Sequence, residues 1–152
     1  MKVRIDIDSS MTEEEIVIKC KHINDAVNNI QQKILDITRG APNIIFVKDD
    51  KEYYLDINDI LFFEIENNIC LAHTKVDVFI VKYRLYELEE KLPRYFVRIS
   101  KGAIVNINQI LALSNSFGSS TLIEFNKSYK QVYASRKYIK LLRYKLEERR
   151  SL

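Results

Sequence analysis

Four stretches of this chain carry side chains whose type and spacing could do chemistry. The first is Ser135-Arg136-Lys137, with Lys140 one turn later. Ser135 suits a helix N-cap, because its hydroxyl can satisfy a free backbone amide. Cations in a first turn oppose the helix dipole, which favours anions there. A local rule broken in this way suits an external anion, with amides, dipole and basic side chains all facing a phosphate; the alternative is that the long Arg and Lys side chains splay into water. The second is Arg98-Ile99-Ser100-Lys101-Gly102, with Ser100 and Lys101 at a strand end and Gly102 permitting a tight bend. The third is Asn67-Asn68. Asparagine pairs bidentately with adenine, and lysine or arginine addresses guanine or phosphate; the same Asn pair is also plain turn chemistry. The fourth is the set Cys20-x-His22 and Cys70-x-x-His73. Both pairs fall in expected strands, where residues three apart face opposite sides. Zinc ligands are spaced tightly in loops or knuckles, so the expectation is no metal site, with buried thiols and surface imidazoles. Nothing marks either cysteine as an activated nucleophile.

Other enzyme chemistry is poorly supported. Carboxylates such as those of Glu87-Leu88-Glu89-Glu90 form a helix surface rather than an acid–base pair. There is no Gly-x-Ser-x-Gly elbow. The three glycines, Gly40, Gly102 and Gly118, are too scattered for a phosphate-cradling loop, which excludes Walker and dinucleotide fingerprints. No catalytic residue and no cofactor are expected.

Charge supplies the positive evidence. The net charge of +3 hides an asymmetry. Residues 1–92 carry 12 Lys+Arg against 18 Asp+Glu, whereas residues 93–152 carry 12 against 3, a local net of +9. A surplus of that size in a short stretch suits a polyanion, since each neutralised phosphate releases counterions. An acidic protein or a membrane surface would answer to the same charge, and so would a solvated basic face with no partner.

The elements that must position these residues read as follows. With 152 residues, 47% hydrophobic and 30% charged, the chain can bury a core without disulfide or metal staples. No apolar run is long enough to span a membrane, no secretory h-region opens the sequence, and two cysteines make no disulfide framework; the expected compartment is the cytoplasm. Residues 1–40 read as a small α+β extension. Val3, Ile5 and Ile7 alternate with charges as a strand, Ile16-Val17-Ile18 suggest a second, and Asn24 or Asp25 caps a helix through Val27, Ile30, Ile34 and Ile37. Gly40-Ala41-Pro42 ends it. Residues 41–152 read as mainly β. Strands are expected at 44–47, 52–56, 61–65, 70–73, 76–81, 96–99, 104–105, 110–113, 121–125 and 131–134, with polar turns at 48–51, 67–68 and 118–120. A short helix carries Leu85, Leu88 and Leu92 before Pro93, and a last helix runs from Ser135 with Ile139, Leu142 and Leu146 on one side.

Four blocks in order and spacing resemble the LytTR-type DNA-binding domain of bacterial transcription regulators over about 43–146. They are Asp59-Ile60-Leu61-Phe62-Phe63-Glu64, Tyr83-Arg84-Leu85-Tyr86-Glu87-Leu88-Glu89-Glu90-Lys91-Leu92, Phe96-Val97-Arg98-Ile99-Ser100-Lys101-Gly102-Ala103-Ile104-Val105-Asn106 and Ala134-Ser135-Arg136-Lys137-Tyr138. The short extension is similar to that of stand-alone regulators without a receiver domain. The resemblance implies an elongated fold of about ten strands in three sheets with short helices. It implies loops that enter successive major grooves of double-stranded DNA, and a homodimer on repeated half-sites. Carried over by residue, it puts Asn68, or Asn67 in a loop one residue shorter, near bases. Ser100, Lys101 and Lys137 make the other groove contacts, and Ser135, Arg136, Lys140 and Tyr133 hold phosphates or shape the edge. Gly102 stands where serine is commoner; Arg98, Ile104, Val105 and Asn106 read as structural. The alternative is a protein–protein interaction module without DNA readout, using residues 1–92 and the helix at 25–37. For residues 1–40 the expected role is dimerisation or input.

Overall fold

The computed structural model describes residues 1–116 and 118–150. The chain divides into two compact units, Met1–Leu35 and Asp36–Leu152. In the first, helix α1 (Asp25–Thr38) starts where expected. Asn24 caps it: its side-chain oxygen accepts from the Val27 N–H at 3.0 Å, and its carbonyl accepts from the Asn28 N–H at 3.0 Å. The strands expected at 3–7 and 16–18 do not form; neither stretch has a ladder partner. Ser9-Ser10 form a turn, closed by the Met11 N–H donating to the Asp8 carbonyl at 3.3 Å. A hairpin on that turn would set Ile5 opposite Glu14 and Ile7 opposite Thr12, so that only Val3, opposite Ile16, would meet an apolar residue of the second stretch.

The second unit is built from ten strands among the described residues, hydrogen-bonded as two sheets rather than three. The larger sheet holds β1 (Phe46–Lys48), β2 (Lys51–Tyr53), β3 (Phe62–Glu66), β4 (Ile69–His73), β5 (Val78–Val81), β6 (Phe96–Ser100) and β7 (Ala103–Asn106) in the order β2-β1-β5-β4-β3-β7-β6. The smaller holds β8 (Ile110–Asn115), β9 (Thr121–Phe125) and β10 (Gln131–Ala134) as a meander. Two hairpins each turn on two residues that both take positive φ. Asp49 and Asp50 have φ of 51° and 59°, and Asn67 and Asn68 have 50° and 62°. Both central residues in the left-handed region make a turn whose twist matches the flanking strands, and Asp and Asn tolerate that region best after glycine.

Some boundaries shift. The strand expected at 52–56 ends at Tyr53, because Asp56 caps a 3₁₀ turn, Ile57–Asp59, by accepting from the Asn58 N–H at 2.9 Å. The strand expected from Val76 starts at Val78, because Thr74 and Asp77 close a turn on each other at 2.9 and 3.0 Å. Helix α2 (Leu85–Lys91) ends before Pro93 as expected. Helix α3 (Ile139–Arg150) starts later than Ser135. A separate turn precedes it, in which Tyr138 N–H donates to the Ser135 carbonyl at 3.0 Å. No helix among the described residues is long and apolar enough to cross a membrane.

Two apolar cores result. One gathers Phe46, Ile60, Phe63, Phe79, Leu88 and Ile104 between α2 and one face of the large sheet. The other gathers Phe62, Ile99, Val105, Ile123, Phe125 and Leu142, with Ile139 and Leu146 of α3 packed on it. Phe62 and Phe63 are neighbours on β3 and face opposite cores, the period-two geometry of a strand.

The cysteines and histidines depart from expectation. Cys70 is buried in the first core, but Cys20 is exposed. Burial pushes the Cys70 thiol up to about 11, which keeps it protonated and inert. His73 is not a surface imidazole: its ring stacks on Phe62 with centroids 4.2 Å apart. Among the described residues, no group of three or more His, Cys, Asp or Glu is disposed to hold a metal.

His73 makes stability depend on pH. Burial, with Lys130 as a lesser cause, pulls its imidazole down to about 4. Glu64 Oε1 lies 2.8 Å from its Nε2, a close contact without hydrogen-bond alignment. An unfolded histidine binds its proton near pH ~6.5, so between those values the unfolded chain holds the extra proton. The stabilisation is full above about 6.5 and fades as pH falls towards about 4. Glu64, raised chiefly by its own burial, acts with the opposite sign in acid. The expected net loss is about 1–2 kcal/mol across that window. Urea midpoints should show it in the native chain and show a flatter profile in His73→Phe.

Candidate nucleic-acid interface

The strand registers decide where the four stretches lie. β3 pairs antiparallel with β4 up to Glu66↔Ile69, so Asn67-Asn68 cap that hairpin. β3 also pairs with β7, with Glu64 opposite Ala103. The Ile65 N–H then donates to the Gly102 carbonyl at 2.8 Å. The Asn67-Asn68 tip and the Lys101-Gly102 tip therefore leave the same end of the large sheet, side by side. On the other flank, the Ser135 N–H donates to the Ile99 carbonyl at 2.8 Å. That bond fastens the end of β10 and the approach to α3 beside the end of β6. Three loops, 66–69, 100–103 and 135–138, thus stand in one row.

Their side chains are open. Asn67, Asn68, Lys101, Arg136, Lys137 and Lys140 are exposed, and Ser100 and Ser135 are half-buried. Tyr133 is exposed on the outer face of β10, whose Val132 and Ala134 point into the core. Lys137 Nζ sits 5.6 Å from the centre of the Tyr138 ring. None of Lys101, Arg136, Lys137 or Lys140 has a salt bridge among the described residues.

Other basic residues of the same half are occupied within the fold. Arg98 is paired with Glu89, Lys130 donates to the Asp77 carbonyl, Lys145 lies 3.5 Å from Glu148, and Arg149 donates to the Ile107 carbonyl. The excess charge is therefore sorted: part of it braces the fold, and four cations stay free at one end of it.

Arg98 shapes the central loop. Its Nε donates to the Ser100 carbonyl at 2.7 Å, one terminal nitrogen donates to the Lys101 carbonyl, and the other is paired with Glu89. The Gly102 N–H donates to Ser100 Oγ at 3.2 Å. A register shift between Arg98 and Ser100 bends β6 at this point. The bend does not come from Gly102, which is outside the positive-φ set; a Cβ there would meet nothing within 4 Å. A lysine cannot reproduce the three-way guanidinium fork. Arg98→Lys is thus expected to lower duplex affinity about tenfold while Lys101 itself is intact; fluorescence anisotropy with labelled DNA would read it.

The helix-start argument needs correction. Arg136 and Lys137 precede α3 instead of occupying its first turn, and Ser135 does not cap it. The Ser135 and Tyr138 amides are already bonded. The basic side chains remain, but only Lys140 sits in the first turn of the helix.

Two further groups stand at this end. The register Asn115↔Thr121 and Thr121↔Ala134 puts Ser116 and the Gly118-Ser119-Ser120 turn at the same end of the small sheet as Ser135. Asn115, Gly118 and Ser119 are exposed there; the polar run Gly118-Ser119-Ser120 was the available signal. Glu66 ends β3 next to Asn67 and brings a negative charge to the row.

Comparison with known proteins identifies the family and the fold. The family model described as the LytTr DNA-binding domain matches residues 50–147. An uncharacterized HTH-type transcriptional regulator of Staphylococcus aureus (strain bovine RF122 / ET3-1) is 33% identical over 150 residues, covering 96% of this chain and 98% of the relative. One of the same description from S. aureus strain NCTC 8325 / PS 47 is 32% identical with the same coverage. Strands separate all three helices of the present chain, so no helix-turn-helix forms among the described residues. A solved LytTr DNA-binding domain from Bacillus cereus superposes with a TM-score of 0.64 at 23% identity, covering 70% of this chain and 98% of that one. Its fold is the one described above. On the family match and on relatives aligned over nearly their whole length, the chain belongs to the LytTr DNA-binding domain family.

Proposed function

We propose that this chain is a sequence-specific DNA-binding transcription regulator of the cytoplasm. In this reading residues 41–152 bind DNA through loops 66–69, 100–103 and 135–140, and residues 1–40 serve self-association. The observation that carries it is the row of three loops with four cations free of ion pairs. Four neighbouring strands, β4, β3, β7 and β6, span about 14 Å at ~4.8 Å each, and the 135–138 loop lies beyond β6, fastened to it by the Ser135–Ile99 bond. That exceeds the ~12 Å width of one major groove, so the two ends of the row meet different grooves, or a groove and its flanking phosphates. Lys101 and Lys137 address base edges; Arg136, Lys140, Ser135 and Tyr133 hold the backbone. Glu66 repels phosphate and can accept from a cytosine amine, which suits base readout by Asn67 or Asn68. The regulator binds repeated half-sites as a homodimer.

Selection of bound sites from random duplexes tests this directly, followed by anisotropy at stepped salt. A recurrent motif is expected, with affinity falling steeply as salt rises; four phosphate contacts would give a log–log slope of about −3.6. The slope of about −3.6 counts Arg136 and Lys140 of both copies of the homodimer, and a single copy would give about −1.8. An unenriched pool and a flat titration would overturn the reading and favour a protein-interaction module.

A further inference from the structure

The first unit leaves two features without partners. One is an apolar groove of about 390 Å³, lined by Ile16, Ile18 and Cys20 on one side and by Ile23, Val27 and Ile34 on the other. The second is the alternating stretch Met1–Asp8, in which Val3 is 92% and Ile7 93% exposed. The stretch has the alternation to fill such a groove, yet the short hairpins open to its own chain match it poorly: on the Ser9-Ser10 turn only Val3, opposite Ile16, meets a groove residue. A hairpin closed by a four-residue loop at 9–12 would align Val3 with Ile18 and Ile5 with Ile16. It would also set Asp8 against Glu13, Asp6 against Glu15 and Lys2 against Lys19, all like charges. A parallel alignment thirteen residues apart behaves differently. Val3, Ile5 and Ile7 then meet Ile16, Ile18 and Cys20. Lys2 meets Glu15, Asp6 meets Lys19 and Asp8 meets Lys21. Every charged pair in that set is opposite in sign. Within one chain the alignment is unreachable, because a parallel crossover needs a dozen or more residues and fewer separate Asp8 from Glu15.

We propose that residues 2–8 of one copy lie parallel to residues 15–21 of a second copy, reciprocally, so that each tail fills the other's groove and the chain dimerises by exchange. This names the contact behind the homodimer of the preceding section, but it operates without DNA. The exchange is isologous and closes at two copies, as a two-fold symmetry requires.

The test uses two full-length variants, Asp6→Lys/Asp8→Lys and Lys19→Glu/Lys21→Glu, with mass read by light scattering in the absence of DNA. Each variant alone places like charges in both tail contacts and should run as a monomer of about 18.0 kDa. Mixed in equal amounts, they restore opposite charges in both contacts and should return to twice that mass, as the native chain should show. Variants that stay dimeric alone, a mixture that stays monomeric, or a monomeric native chain would each overturn the exchange. DNA binding by the loop row, measured separately on half-site duplexes, would be untouched by any of these results.

Discussion

Replacing Lys101 and Lys137 together by alanine should weaken binding to the cognate duplex from roughly thirty-fold to beyond a thousand-fold. Each lysine is exposed and outside every salt bridge among the described residues, so the substitutions break no internal ion pair. A groove-reading side chain is worth about 1–3 kcal/mol, and the two tips are separate enough to add. Lys51→Ala is the matched control. It begins β2 beyond the Asp49-Asp50 turn, at the end of the large sheet opposite the loop row, because Phe46 and not Lys48 pairs with Val81 and, through it, with Cys70. Anisotropy should show loss in the double variant and native affinity in the control, with unchanged thermal unfolding in both. Equal losses in the two proteins would reduce the loop row to unspecific charge.

The second large effect concerns stability. Asn106 is 1% exposed and links three segments. Its side-chain amide donates to the Ile60 carbonyl at 2.9 Å, and its side-chain oxygen accepts from the Asn108 N–H at 3.0 Å. The Asn106 N–H itself donates to the Leu61 carbonyl at 2.8 Å. Asn106→Leu keeps the branched skeleton, adds methyl bulk to a closed site, and strands a buried carbonyl and an amide, which together cost about 2–4 kcal/mol. Urea unfolding should show that loss as a lower midpoint with an unchanged slope. A stability equal to the native chain's would mean that water satisfies both groups.

Much of the second unit was legible because its signals are local. Asp49-Asp50 and Asn67-Asn68 announce two-residue turns, Pro93 stops α2, and Ile139, Leu142 and Leu146 mark one helix face; the structure has all of these. The two 3₁₀ turns were missed, although the chain spells them almost twice. Asp56-Ile57-Asn58-Asp59-Ile60 and Asn106-Ile107-Asn108-Gln109-Ile110 each begin with a side chain that caps the turn and place both isoleucines in a core. The same pattern shortened β2. In the first unit, alternation promised strands but said nothing of pairing, and charge opposes the nearby pairing. The start of α3 was misplaced because Ser135 spends its amide on Ile99, a bond to a residue far back in the sequence. For the site, residue types were readable, but their meeting was not: two backbone bonds between distant strands make the row, and no spacing rule contains them.

The order of the large sheet leaves β2 and β6 at its margins. β2 has three residues and shows Lys51 and Glu52 to solvent. β6 is kinked by its register shift, and its Ile99 carbonyl is already taken by Ser135. Neither margin offers a long flat run of vacant amides and carbonyls on which a foreign strand could template. At high local concentration, neighbouring copies of this sheet would meet without seeding cross-β fibrils.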